Sequence, residues 1–230
     1  MALTRWENIK LSDMTDLEIW ESFKTQYNVP DNCEVGDTVT LDGVECVCVA
    51  TDITIQGSGL RRIAVDKNHD LGYYQKYIGV TQNGIATNQI KYWRWGGFGN
   101  LLGNTSKEVG YGLQNTINCL ANPVNYTNGS STYPEGDGYP WLWQGVNDFR
   151  ASHSDKWFLP SVNELLNYVY ANKSSLTFDT TTGGSSNYVF LSSSEYDAHR
   201  VYYAVFSNGT SNYHAFKYEG LGAVRLCRAF

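Results

Sequence analysis

Asp155-Lys156-Trp157-Phe158-Leu159-Pro160-Ser161-Val162-Asn163-Glu164-Leu165 is the stretch on which the fold is decided. Pro160 interrupts whatever runs before it. Ser161, followed three residues later by Glu164, is a capping box in which each side chain can take the other residue's unsatisfied backbone N–H. Leu165, Leu166, Val169 and Tyr170 continue at helical spacing, so a helix opens here. Upstream, Trp141 to Ala151 reads as a second helix. His153 stands at its end, where a cationic or hydrogen-bonding side chain suits the helix C-terminus.

Strands lie on both sides of these helices. From Gly36 the chain reads Thr38 to Leu41, an Asp42-Gly43 turn, then Val44 to Ala50. Asp-Gly between two β-rich runs signals a hairpin, because both turn residues must reach positive φ. Arg61 to Asp66 supplies a third strand. Toward the C-terminus come Tyr188 to Leu191, Val201 to Phe206, a Ser207-Asn208-Gly209 turn and Ala223 to Phe230. Between Asn68 and Pro140 periodic apolar runs are few, so this part reads as ordered loop held by Trp93, Trp95 and Phe98. Helices in the middle with strands at both ends imply an α+β fold.

A chain of 230 residues suits one substantial core with a small addition. Residues 1–33 form the addition, a helical extension opened by Thr15 and Glu18 and carrying Ile19, Trp20 and Phe23 on one face. Residues 34–230 form the main domain. With 23 acidic against 17 basic residues, neither nucleic acid nor an anionic membrane is the expected partner. No run approaches the roughly 20 apolar residues of a membrane span. The start, MALTRWENIKLSDM, lacks the apolar region of a secretory signal, which implies a chain made without one. Five cysteines cannot all pair, and Cys33, Cys46, Cys48, Cys119 and Cys227 read as buried free thiols rather than disulfides or a zinc site.

The segment Asp155 to Leu165, then Ser192-Ser193-Ser194-Glu195-Tyr196, then Val224-Arg225-Leu226-Cys227-Arg228 resembles a bacterial and phage family with the C-type lectin fold. Its blocks read W-[FR]-L-P-S/T-x-x-E-L, SSSEY and V-R-x-C/V-R, in this order. Gly36 to Asp70 resembles the hairpin region that precedes them, so the resemblance covers roughly Gly36 to Phe230. Leu191 stands where relatives often have Trp. The resemblance implies a C-type-lectin-like fold with long ordered loops, two central helices and a C-terminal β-sheet. Within that fold, the branch similar to the formylglycine-generating enzyme includes the variable proteins of diversity-generating retroelements, among them phage tropism determinants that contact the host surface.

In those systems adenine-directed mutagenesis rewrites asparagine codons near the 3′ end of the gene. The products include Tyr, His, Ser, Asp, Phe, Leu, Val and Arg. The tail from Asp197 to Leu221 resembles one outcome of that process, and the variable region spans about 188–222. The composition supports a binding role independently: Tyr brings contact area with few torsions to freeze, and Ser, Gly and Asn bring adaptable hydrogen bonding. Strand alternation separates Tyr202, Ala204 and Phe206 from Val201, Tyr203 and Val205. The resemblance implies that the first set faces the core. The expected ligand-binding residues are therefore His199, Arg200, Tyr203, Val205, Thr210, Asn212, Tyr213, His214, Phe216 and Leu221.

Signals of chemistry are weak. Formylglycine generation needs a late cysteine pair, whereas Cys46-Val47-Cys48 lies early in the chain. Calcium-dependent sugar binding resembles a Glu-Pro-Asn or Gln-Pro-Asp loop with a Trp-Asn-Asp strand, and neither occurs. Glu135 and Asp137 fall far short of the six to eight oxygens that calcium takes. His69, His153, His199 and His214 are scattered, and no phosphate-binding or dinucleotide motif is present. The residues and the resemblance together imply a non-enzymatic ligand- or receptor-binding protein without cofactor or metal, recognising a protein or glycan on a cell surface, with a virion-associated and a cytoplasmic location both open. A structural virion or surface protein and an enzyme of the formylglycine-generating branch are the competing readings. Ligand identity and oligomeric state stay open.

Overall fold

Asp42 and Gly43 have φ of 52° and 81°, both left-handed, and so close the two-residue turn that joins strands β1 (Thr38–Leu41) and β2 (Val44–Ile55). The computed structural model describes residues 33–67, 93–122, 125, 141–176, 189–206, 209–218 and 223–230, with the backbone alone at residues 60 and 210–213. Glu34–Phe230 form one compact unit. The helix expected around Thr15, and Glu135 and Asp137, lie outside the described residues.

Strand β3 (Gly59–Asp66) extends the hairpin, and the sheet continues through β8 (Cys227–Ala229) to β4 (Trp157–Phe158) in the order β1-β2-β3-β8-β4. A second sheet has the order β5-β6-β7, made of Val189–Glu195, Arg200–Val205 and Thr210–Phe216. Helices α1 (Gly112–Leu120), α2 (Leu142–Ser152) and α3 (Val162–Glu164) lie between β3 and β5 in sequence. The class is α+β with antiparallel ladders throughout. One apolar core includes Val47, Ile63 and Val65 from the first sheet, Phe190, Ala204 and Phe206 from the second, and Leu165 and Val169 between them.

The capping box forms as expected: Glu164 N donates to Ser161 Oγ (3.2 Å) and Ser161 N donates to Glu164 Oε2 (2.8 Å). The following turns, Leu165–Tyr170, are π-helical rather than a plain α-helical continuation. Trp157, Leu159, Leu165 and Val224 are all fully buried, as the three blocks of the resemblance implied. The five cysteines are buried and none is in a disulfide. Burial, with the nearby Asp66 carboxylate, pushes the Cys46 thiol up, and burial does the same to Cys119 and Cys227, which keeps these sulfurs as thiols rather than nucleophilic thiolates.

Two expectations need correction. Part of the presumed loop between Asn68 and Pro140 is helix α1. Its N-cap, Tyr111, makes no side-chain capping bond, and its buried face includes Asn115 and Thr116, so neither a start signal nor an apolar stripe announced it. The terminal strand is also shorter than Ala223 to Phe230, being reduced to Cys227–Ala229 with an isolated bridge from Ala223 to Phe190.

The hairpin turn has a second task. Asp42 Oδ2 accepts from Ser154 Oγ (2.7 Å), Trp157 Nε1 (2.9 Å) and Arg228 Nε (2.6 Å), so one carboxylate joins the turn to β4 and β8. Partial burial raises its pKa, but the bonds from Arg228 and Ser154, the Arg228 charge and the Trp157 bond outweigh this and hold the carboxyl below its ordinary value. A carboxyl depressed in the native state stabilises above its unfolded pKa of about 4, and that contribution is lost as pH falls through the lower folded value. Asp42→Asn, which still tolerates positive φ, is expected to lower the urea midpoint at pH 7 and to flatten its fall between about pH 5 and 3. Equal pH slopes in the two proteins would refute this role.

Candidate ligand-binding surface

The base of the surface is the Ser192-Ser193-Ser194-Glu195 run, which lies where β5 loses regular register with β6, between Leu191 and Glu195. Hydroxyls take over from the ladder. Ser192 Oγ donates to Tyr202 O (2.8 Å), and Ser194 Oγ donates to Ser106 O (2.9 Å) while accepting from Val162 N (3.1 Å). Ser193 N donates to Pro160 O (2.9 Å), and Asn115 Nδ2 donates to Ser193 Oγ (3.2 Å). All three serines are buried, so these bonds also meet the cost of placing polar groups inside. Two sequence blocks thirty residues apart are therefore one contact: the Pro-Ser helix start rests on the serine strand.

Glu195 ends that run as a clamp. Its carboxylate accepts from Leu102 N (2.9 Å) and Gly103 N (3.1 Å) and pairs with the Lys217 ammonium. Lys217 Nζ also donates to Asn100 O (2.7 Å) and stands 5.0 Å from the Trp95 ring centroid. Burial pulls the Lys217 pKa down, while the Glu195 hydrogen bond and charge act the other way. The end of β7 and the loop around residues 97–103 are thus tied to one buried ion pair.

Above this frame the register decides what faces out. Arg200 pairs with Phe216 and Tyr202 with His214, while Val201 pairs with Ala215 on the opposite face. Val201, Ala215 and Lys217 are buried, whereas His214 and Phe216 are exposed and Arg200 and Tyr202 half-exposed. Asp197 Oδ1 accepts from His199 N and Arg200 N (both 2.8 Å), and Asp197 Oδ2 from Arg200 Nε (2.8 Å). Arg200 Nη1 lies 2.7 Å from His214 Nε2, and its guanidinium carbon 4.6 Å from the Tyr196 ring centroid. His214 stacks on Tyr196 at 4.4 Å, and Tyr202 meets Tyr196 edge-on at 5.1 Å. A second group gathers round Phe98, with His199 at 4.8 Å, Tyr218 at 4.9 Å and Phe216 at 6.3 Å.

Of the residues expected to bind ligand, His199, Arg200, His214 and Phe216 come together on this outer face. Val205 does not: it is 8 % exposed and belongs to the interior. Tyr202, expected in the core, is half-exposed beside His214, and Tyr203, on the other side of β6, is half-buried. Phe206 is buried as anticipated, against Phe190 (4.5 Å) and Tyr170 (5.4 Å). Alternation separated the two faces, but the face expected to bind ligand is the one turned inward, with Val201 and Val205 both buried. The Arg200 and Tyr202 end of one face lies open, while Ala204 and Phe206 on that same face enter the core. Only the backbones of Thr210, Asn212 and Tyr213 are described, and Leu221 lies outside the described residues.

Phe98, Tyr196 and Tyr202 complete the surface without having been expected in it. Tyr196 was visible as the last residue of the serine block. Phe98 was read only as an aromatic holding its loop, and nothing local placed it on this surface. Among the described residues no three His, Cys, Asp or Glu side chains gather as a metal site, and no helix is long and apolar enough to cross a membrane. Comparison with protein-family models, with curated proteins and with solved structures gives no match.

Proposed function

We propose that the chain is a C-type-lectin-like, non-enzymatic binding protein, a variable protein of the retroelement kind that displays its diversified C-terminal sheet to a protein or glycan on a cell surface. The observation that carries this reading is the division of labour across β6 and β7. One face presents Arg200, Tyr202, His214 and Phe216. The other sinks Val201, Ala215 and Lys217 into a hydrogen-bonded frame. Binding surfaces built this way combine rigid aromatic anchors with polar neighbours, and a fixed frame lowers the entropy cost of association. His199, Arg200, Tyr202, His214 and Phe216 are also residue types reachable from asparagine codons by changes at adenine, the pattern the resemblance implies.

Sequencing the 3′ coding segment across a population tests the reading. Substitutions are expected at adenine positions in codons for the outer-face residues, with the codons for Val201, Ala215 and Lys217 constant. Variation spread evenly over both faces, or without excess at adenines, would remove the diversified-surface reading.

A further inference from the structure

The expected binding residues all lie in the C-terminal tail, yet the outer face does not end there. Gly99 N donates to Ala198 O (2.9 Å), Asn100 O accepts from Lys217, and Leu102 N donates to Glu195, so the loop from Gly97 to Gly103 lies alongside the start of β6 and the end of β7. Phe98 projects from this loop into contact with His199, Phe216 and Tyr218. Leu101, between two residues tied to the buried pair, is 62 % exposed, a large apolar side chain that the loop holds out into solvent. Tyr196 and Phe216, each 42 % exposed, continue the apolar surface onto the sheet.

The charge and packing of this area limit what fits it. The chain carries a net charge of −6, but here Arg200 is neutralised by Asp197 and Lys217 by Glu195, so among the described residues the area is locally balanced. A strongly charged partner finds no complement in it. A sugar would need an open ring face. Here Tyr196 is stacked by His214 and Phe216 by Tyr218 at 5.4 Å, while Phe98 takes three rings edge-on. What remains is ring edge and the branched tip of Leu101, which suit uncharged apolar side chains.

We infer that the loop Gly97–Gly103 is a constant half of the binding surface, that Phe98 and Leu101 are binding residues, and that the partner is a polypeptide presenting an uncharged apolar cluster. This rests on the binding-surface reading above. The buried Lys217–Glu195 pair serves as the positioning device: it holds the loop in one place while the neighbouring outer-face residues of the tail change.

The test uses the full chain and a phage-displayed library of random dodecapeptides panned on the immobilised protein. Selected peptides are expected to be apolar and uncharged. Their Kd should rise at least tenfold for Leu101→Ser and for Phe98→Ala, and likewise for the tail variant His214→Ser/Phe216→Ser. Val35→Ser, an exposed site before β1, should bind like the unaltered protein. Leu101→Ser safeguards the test against a folding defect in Phe98→Ala, and the melting temperature of every variant is recorded. Binding lost in the tail variant but kept in both loop variants would overturn the loop's role and leave the proposed function standing. Peptides indifferent to the tail variant, or neither a peptide nor an oligosaccharide bound, would overturn both. Neutral oligosaccharides of glucose or N-acetylglucosamine form a second arm, and tail-dependent binding of these in place of peptides would overturn the partner class.

Discussion

Glu164→Ala is expected to lower the stability of the chain by about 3 kcal/mol or more, because each buried N–H left without an acceptor costs roughly 1 to 3 kcal/mol. The Glu164 carboxylate is buried and accepts from Ser161 N (2.8 Å) and Gly110 N (2.9 Å), with Gly112 N also directed at it. It therefore closes the start of α3 and fixes the start of α1, two elements fifty residues apart. No small replacement reaches all these donors. Burial pushes the Glu164 pKa up despite the four hydrogen bonds that pull it down, so its charge costs stability at neutral pH and that cost is relieved on acidification. The net effect of truncation remains a loss, since the orphaned amides outnumber the one charge removed. Glu164→Gln, which keeps one acceptor oxygen and turns an amide toward the other donors, should fall between wild type and alanine. Gly112→Ala should approach the alanine variant, because its Cβ would lie 2.2 Å from Glu164 Oε2 and 2.9 Å from the Phe158 ring. Urea titration of the three variants checks the order, and a neutral Glu164→Ala would show that the capping box is dispensable.

Lys217→Met should cost about 3 to 5 kcal/mol, the range for removing one partner from a buried ion pair and leaving the other charge uncompensated. Both side chains are almost wholly buried, and among the described residues Glu195 would keep its bonds from Leu102 and Gly103 alone. Adding Glu195→Gln to Lys217→Met should restore part of the loss, because the stranded charge is then gone. A double-mutant cycle in urea measures the coupling. Amide exchange at Leu102 and Gly103 should accelerate in the single variant, since the carboxylate that orders them has lost its counter-charge. A single variant as stable as the parent, with unchanged exchange, would show that the loop is held by other contacts. The pair also explains why Lys217 is not a surface residue although it directly follows exposed Phe216: alternation turns it inward, and Glu195 waits there.

The sequence by itself determined the elements whose causes are local. The Asp42-Gly43 turn needs two positive φ angles, and the Ser161 and Glu164 box satisfies its own amides, so both could be read from neighbours in the chain. The same holds for the α+β order, whereas the burial of Trp157, Leu159, Leu165 and Val224 was implied by the resemblance of their blocks. Helix α1 escaped because its buried face is held by long-range polar partners, Asn115 to Ser193 and Thr116 to Leu159, that no local pattern encodes. Tertiary structure alone decided which stretch of each strand face is covered. Along β6, period-two alternation assigns Tyr202 and Phe206 to one side, but only the packing of Phe190 and Tyr170 buries Phe206 while Tyr202 lies open beside His214. Phe98 joined the candidate surface for the same reason. A hydrogen bond from Gly99 to Ala198 and a buried ion pair brought a distant loop to the sheet, and such contacts depend on the position of the whole chain in space rather than on the residues either side of it.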